Sequence, residues 1–175
     1  MKSLVFVLVL LLASTAMAAP REVPIDQFGS GRFYQAAGTA KNFIILLSSS
    51  TGWDNAATAE AERLSTAGND VLGLDIKRYY ADRAKSDDEC LYPSGLMEDI
   101  AQQLQKTAVA TTFKRPVVIG LGDSGALAAA TVLQTLTGTY LAAIAPSFCQ
   151  TINSPSLYVW VRDCCAMVTA INPKI

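Results

Sequence analysis

The stretch best suited to chemistry runs from Pro116 to Ala130. It joins a β-branched apolar run to a glycine-rich turn and then to an alanine-rich segment with helical character. A strand, a tight turn and a helix in this order are typical of the nucleophile elbow of an α/β-hydrolase. The turn requires small residues because it brings the strand and helix backbones close together. A plain strand-to-helix turn needs the same small residues, so the stretch predicts the fold more directly than it predicts catalysis.

The alignment of the elbow motif decides which residue takes the nucleophile position. If the motif begins at Gly122, it reads Gly-x-Ser-x-Ala and Ser124 is the nucleophile. If it begins at Gly120, directly after the apolar residues 117–119, Gly122 takes that position. The motif places its first glycine directly after the strand, which favours the alignment beginning at Gly120. We therefore expect an elbow whose nucleophile position holds a glycine.

Ser124 and Asp163 are the candidate catalytic residues if the chain is a hydrolase. Asp163 follows the second predicted strand after the elbow, where the chain order serine, acid, histidine places the acid. The sequence contains no histidine, and no lysine has a spacing that suggests a base. A serine hydroxyl is a poor nucleophile without a base to take its proton. Hydrolysis would therefore need a base from outside this chain, and no cofactor is predicted.

Several loops could form a binding site, because ligands of such a sheet bind beyond the carboxyl ends of its strands. Loop 48–52 occupies the place of an oxyanion-hole amide, although it also fits a helix N-terminus capped by Asp54 or Asn55. The stretch 75–80 either lines a pocket or is a solvated loop with two tyrosines packed at its rim. The acidic run 87–89 is typical of a solvated face, and no metal site is predicted. The predicted binding residues are Ser49, Trp53, Asp75, Arg78, Tyr79, Gly122 and Asp123.

Residues 1–18 have the pattern of a secretory signal peptide. A basic start is followed by a short apolar run and by the A-x-A site Ala16-Met17-Ala18. Cleavage near Ala18 would make the protein periplasmic or secreted. No other apolar run is long enough for a membrane helix, so no membrane span is predicted. A net charge of −1 with scattered basic residues gives no electrostatic footprint for nucleic acid.

The four cysteines (Cys90, Cys149, Cys164 and Cys165) all lie in the part predicted to be exported. An oxidising compartment there would allow disulfides. Four cysteines allow three full pairings, and the sequence does not choose among them. A bridge between Cys90 and Cys149 is our working prediction. Metal binding is the rival interpretation, but the chain has no C-x-x-C spacing and no histidine.

Strands and helices are predicted to alternate along residues 19–175, which we expect to form a single domain. Strands bounded by helices of about 12 residues favour a mostly parallel sheet with helices on both faces. We therefore predict an α/β fold of the three-layer, α/β-hydrolase-like type. The predicted elements are a loop over 20–31, an edge strand over 32–37, strands over 42–47, 70–74, 117–119, 141–145 and 157–162, and helices over 55–67, 94–109 and from the elbow to about 136.

Over roughly residues 40–130 the chain resembles the bacterial virulence family AcvB/VirJ, specifically the N-terminal α/β-hydrolase-like domain of the two-domain AcvB members. No single motif carries the likeness; several moderate signals occur in the right order. They are Ile44-Ile45-Leu46-Leu47-Ser48 before Gly52-Trp53, Val71-Leu72-Gly73-Leu74-Asp75 with Arg78-Tyr79-Tyr80, Cys90-Leu91-Tyr92 with Glu98-Asp99, and Val118-Ile119-Gly120 at the elbow.

The resemblance implies a periplasmic location, links to type IV secretion, and hydrolysis of aminoacylated phosphatidylglycerol. The family's catalytic domain carries G-Y-S-F-G-A at the elbow; aligned at Gly120, its serine falls on Gly122. We therefore expect a non-catalytic domain that binds a partner protein, a second hydrolase-like domain, or an anionic or aminoacylated phospholipid headgroup. The alternative is a serine esterase or lipid hydrolase, of the type that acts on aminoacylated phosphatidylglycerol, that uses Ser124 and Asp163 with a base supplied from outside this chain, either beyond Ile175 or by another chain.

Overall fold

The computed structural model describes residues 19–85, 92–107, 112–135 and 138–146. Within these ranges, an N-terminal pair of strands is followed by strands separated by helices, with two helices between β4 and β5. The strands are β1 (Arg21–Ile25), β2 (Gly29–Tyr34), β3 (Phe43–Leu47), β4 (Asp70–Leu74), β5 (Val117–Gly120) and β6 (Ala142–Ile144). The helices are α1 (Asn55–Thr66), α2 (Ile76–Arg83), α3 (Pro93–Thr107) and α4 (Gly125–Leu133).

The described strands form one sheet in the order β1-β2-β4-β3-β5-β6. Strands β4, β3, β5 and β6 run parallel to one another. Strands β1 and β2 form an antiparallel hairpin, and β2 pairs with β4 in the antiparallel direction. Because β3, β4 and β5 are parallel, their carboxyl ends meet at one edge of the sheet. The loops that follow these three strands therefore lie next to one another.

Helices cover both faces of the sheet and produce three layers. Every residue of β3 is buried, as expected for a parallel strand covered on both sides. Ala61 of α1 packs on one face with Ile44 and Leu46. The other face holds a larger cluster to which α2, α3 and α4 contribute; their residues are Ile76, Tyr79, Met97, Ala101, Leu104, Leu127 and Ala128. The predicted three-layer α/β architecture is confirmed.

The N-terminal hairpin differs from the prediction. Residues 20–31 were expected to form a loop and 32–37 an edge strand, but β1 is the edge strand and β2 lies inside the sheet. The prediction failed because Pro24 and the glycines at the start of β2 read as loop residues. Pro24 is compatible with β1 because an edge strand leaves one side of its backbone unpaired. Ile25 and Phe28 are buried in the larger cluster, and this burial holds the hairpin on the sheet.

The stretch after β4 also differs from the prediction, since it begins a helix instead of a loop. Asp75 caps α2 by accepting a hydrogen bond from the backbone N–H of Lys77 at 3.0 Å. Ile76 and Tyr79 are the buried residues of this short helix. Their spacing of three residues places both on one helix face, which explains why the segment folds as a helix.

The remaining elements agree with the predictions within a few residues. Helix α1 ends at Thr66 before Gly68, which has the positive φ of +91° expected of a terminating glycine. Among the described residues, no helix is both long and apolar enough to cross a membrane. Several predictions lie outside the described residues: the leader 1–18, the strand 157–162, the cysteines Cys90, Cys149, Cys164 and Cys165, and Asp163.

Candidate functional site at the elbow

The turn between β5 and α4 has the tight geometry of an elbow. Strand β5 ends at Gly120, and α4 begins at Gly125 after a short 3₁₀ turn. A Cβ atom at Gly120 would lie 2.6 Å from the amide nitrogen of Gly125 and would also collide with the carbonyl of Ser124. A Cβ atom at Gly125 would lie 2.9 Å from the Cβ of Ala145. Both glycines are therefore required by the close approach of backbone segments.

Gly122 stands at the apex of this turn with a φ of +59°. This left-handed conformation favours glycine. Among the described residues, a Cβ atom here would meet only the Cβ of Ser49, at an ordinary contact distance of 3.5 Å. Within that part of the chain, the position has room for a side chain but carries none.

Ser124 lies below the apex and is only 1% exposed. Its hydroxyl donates a hydrogen bond to the carbonyl oxygen of Leu121 at 2.9 Å, and the carbonyl oxygen of Leu47 is 3.4 Å away. The hydroxyl thus faces backbone carbonyls inside the fold. In this arrangement Ser124 ties the turn to the end of β3.

Asp123 joins the elbow to the loop that follows β3. Its Oδ1 accepts a hydrogen bond from the backbone N–H of Ser50 at 2.9 Å, and its Oδ2 accepts one from the Ser50 hydroxyl. In the same loop, the hydroxyl oxygens of Ser49 and Thr51 are 2.6 Å apart. Loop 48–52 was predicted as a site loop, but the contact between Ser50 and Asp123 spans 73 positions of the sequence, so no local pattern could have paired these two residues.

Tyr80 on α2 belongs to the stretch 75–80, which was predicted either to line a pocket or to be a solvated loop, but it was not among the predicted binding residues. Its hydroxyl is buried and has no hydrogen-bond partner in the described part of the chain. Burial raises the pKa of Tyr80 above its usual value, and the nearby negative charge of Asp123 raises it further. Tyr80 therefore stays neutral beside the Asp123 carboxylate. No sequence signal separates it from Tyr79, because only the packing of α2 decides which ring turns toward the elbow.

Trp53 packs against the cluster on the α1 side of the sheet. Its indole covers Gly73, where a Cβ atom would collide with the ring. The indole N–H donates to the hydroxyl of Thr58 at 2.9 Å, and the guanidinium of Arg32 lies 5.2 Å from the ring centroid. Trp53 thus combines packing with a cation–π contact.

The predicted residues of α2 separate into three environments. Asp75 caps the helix and also accepts the backbone N–H of Trp53 at 3.4 Å. The Arg78 guanidinium lies over Gly29, where an added Cβ atom would be 2.6 Å from one of its nitrogens. Tyr79 is 2% exposed and stacks on Phe28 with ring centroids 5.0 Å apart. These side chains support the hairpin and the helix start rather than converging on one pocket.

The structure therefore brings together a subset of the predicted residues, which we call the elbow site: Ser49, Gly122 and Asp123, with Ser50 and Tyr80 added. The site combines hydroxyl groups, one carboxylate and an open position above Gly122. Among the described residues, no group of three or more histidine, cysteine, aspartate or glutamate side chains could hold a metal ion.

Solved structures similar to this chain are hydrolases. A dienelactone hydrolase from Anabaena variabilis aligns with 73% of the chain at 16% identity and a TM-score of 0.51. A thermostable carboxyl esterase from Bacillus coagulans aligns with 73% of the chain at 11% identity and a TM-score of 0.52. The chain has an α/β-hydrolase-like fold. At these identities the likeness concerns the fold and not the activity.

The chain spans less than two thirds of those relatives, covering 63% of the dienelactone hydrolase and 44% of the esterase. A dienelactone hydrolase-like phosphotriesterase from metagenomic libraries aligns at 18% identity with a TM-score of 0.48, and the chain covers 59% of it. Neither a family model nor a curated protein matches the chain.

Proposed function

We propose that this chain is a non-catalytic α/β-hydrolase-like domain that acts by binding. The observation that carries the proposal is Gly122, which has a φ of +59° at the apex of the elbow. A hydrolase of this fold presents its nucleophilic side chain from that position. Glycine offers no side chain, and therefore no covalent intermediate forms there.

Ser124 does not compensate for the missing nucleophile. Its hydroxyl is buried and donates to the Leu121 carbonyl, so reaching a substrate would require breaking that hydrogen bond and opening the turn. The chain also has no histidine that could take the serine proton. The esterase alternative with Ser124 and Asp163 needs both a rearranged elbow and a base from elsewhere.

The finer parts of the proposal come from the sequence. The leader pattern of residues 1–18 supports export and a periplasmic or secreted location. The resemblance to the AcvB/VirJ family supports a role beside a partner protein, a second hydrolase-like domain, or an anionic or aminoacylated phospholipid headgroup. The open position above Gly122 supports the elbow site as the place where such a ligand enters.

A fluorophosphonate probe tests whether the chain has a reactive serine. We expect no labelling of the wild-type protein under conditions that label an active serine esterase completely. Labelling of the wild-type chain that disappears in Ser124→Ala would overturn the proposal and favour the esterase alternative. Labelling that persists in Ser124→Ala would point to nonspecific reaction, and peptide mapping would then identify the modified residue.

Vesicle sedimentation tests whether the ligand is a phospholipid headgroup or a partner protein. We expect binding to vesicles that contain phosphatidylglycerol, relative to pure phosphatidylcholine, if the ligand is an anionic headgroup. Equal absence of binding to both compositions would leave a partner protein as the ligand. Chemical cross-linking in the native host, followed by mass spectrometry, would then identify that protein.

A further inference from the structure

We propose that Asp123 is a built-in anion that closes the elbow site by occupying the hydrogen-bond donors of Ser50. The proposal concerns the site of the proposed function and rests on it for one point, that a ligand enters above Gly122. Beyond that point, the proposal describes how the site is regulated. A ligand must enter either beside the Asp123 carboxylate or after this carboxylate has been released from Ser50.

The geometry of the contact carries the first step. Both carboxylate oxygens of Asp123 are used by one residue, with Oδ1 on the Ser50 backbone N–H at 2.9 Å and Oδ2 on the Ser50 hydroxyl. Two hydrogen bonds from one residue fix the direction as well as the distance of the carboxylate. The loop that follows β3 is thereby held against the turn that follows β5.

The identity of the occupied donor carries the second step. In α/β-hydrolases, the loop after the strand equivalent to β3 supplies a backbone N–H that stabilises the oxyanion of the reacting ester. Here the Ser50 N–H of that loop already points at a carboxylate. An external oxyanion would have to displace Asp123 and would also meet its negative charge. An anionic group therefore reaches the Ser50 N–H only after Asp123 has been released from it.

The surroundings show why the contact can open. Ser50 is exposed and Asp123 is partly exposed, so water can replace either hydrogen bond. The Tyr80 hydroxyl lies close enough for the Asp123 charge to act on it, yet it makes no hydrogen bond to the described residues. Within the described ranges, Ser50 is the residue that donates hydrogen bonds to the Asp123 carboxylate. Removing the carboxylate should release the loop without disturbing the core.

Backbone amide exchange, measured by NMR, tests the closing contact. In Asp123→Ala, we expect the Ser50 amide to exchange about twofold faster than in the wild type, the factor that corresponds to about 0.4 kcal/mol for an exposed contact. Asp123→Asn should give an intermediate increase, since its amide oxygen still accepts one hydrogen bond without the charge. Asp99→Asn is the matched control, because it removes an exposed carboxylate on α3.

Acetate, used as a small carboxylate probe, tests the occupation of the donors. We expect acetate to shift the Ser50 amide resonance of Asp123→Ala and to leave that of the wild type and Asp99→Asn unchanged. The proposal is overturned if Ser50 exchanges equally fast in wild type and Asp123→Ala, if Asp99→Asn changes it as much, or if acetate does not perturb Ser50 in Asp123→Ala. Amide exchange and acetate binding do not depend on serine reactivity. The closing contact can therefore be refuted while the proposed non-catalytic function stands, and a reactive serine can refute that function while the closing contact stands.

Discussion

Two aspartates follow the parallel strands on either side of β3, and they have different roles. Asp75 directly follows β4 and caps its own helix through the Lys77 N–H at 3.0 Å. Asp123 follows β5 but caps nothing in α4, whose first residue is preceded by Ser124 without a side-chain capping bond. The carboxylate of Asp123 instead binds Ser50 in another loop.

The difference shows how the two junctions are stabilised. The β4–α2 junction uses a local solution, since a carboxylate at the N-cap satisfies helix N–H groups two or three residues away. At the β5–α4 junction, the sharp turn is made possible by Gly120 and Gly122, and the polar side chain is left for a tertiary contact. A side chain that is not needed for the local turn is available for a site.

The largest expected effect comes from filling the space at Gly120. In Gly120→Ala, the new Cβ atom meets backbone atoms of Ser124 and Gly125, which cannot move without breaking the elbow. We expect a loss of about 3 kcal/mol in the free energy of unfolding, as for overpacked cores. Urea denaturation measures this loss.

Gly95→Ala is the matched control for that substitution. Gly95 lies in α3, and no atom of the described residues is within 4 Å of its added Cβ position. We expect Gly95→Ala to stabilise the protein by about 0.5–1 kcal/mol, because glycine is costly in a helix. If Gly120→Ala were as stable as Gly95→Ala, the close packing of the elbow would be refuted.

A smaller effect on stability is expected when the hydroxyl of Tyr80 or of Tyr140 is removed, and the two results should differ. Tyr80 has no partner among the described residues, whereas Tyr140 donates to the Ser94 carbonyl. At neutral pH we expect Tyr80→Phe to leave stability unchanged or slightly higher, and Tyr140→Phe to lose about 1 kcal/mol. Equal losses in both variants would show that Tyr80 has a hydrogen bond in solution.

Alkaline unfolding adds the pH dependence of the same residues. Burial raises the pKa of both Tyr80 and Tyr140, so above pH about 10 the unfolded chain loses these protons first. The unfolded state then binds fewer protons than the folded state, and stability falls as pH rises. Each tyrosine contributes up to about 1.4 kcal/mol per pH unit to this fall. We expect Tyr80→Phe to reduce the slope by one such contribution in urea denaturation between pH about 9 and about 11.

The aspartate comparison itself predicts a still smaller difference in stability. Asp75→Ala removes an N-cap and should lose about 1 kcal/mol. Asp123→Ala removes an exposed contact and should lose less than about 0.5 kcal/mol, while altering the Ser50 amide. Thermal unfolding of the two variants in parallel measures the difference. A larger loss in Asp123→Ala than in Asp75→Ala would mean that Asp123 is chiefly a structural residue.

Much of the fold could be predicted from the sequence because burial and tight turns restrict the residue types within a short stretch of the chain. The apolar run 43–47, the helix stop at Gly68 and the small residues of the elbow each reflect a requirement within a few neighbouring residues. The hairpin β1–β2 was missed because proline and glycine usually indicate loops, whereas here burial of Ile25 and Phe28 overrides that preference.

The sequence by itself determined the alternation of strands and helices, the position of the elbow and the lack of a histidine. Only the tertiary structure decided that Gly122 takes the left-handed apex, that Ser124 turns inward, and that Asp123 reaches Ser50. The physical reason is how far apart in the sequence the interacting residues lie. Side-chain periodicity follows from the geometry of a single strand or helix, whereas contacts between loops depend on how parallel strands align, and that alignment is set by the packing of the whole sheet.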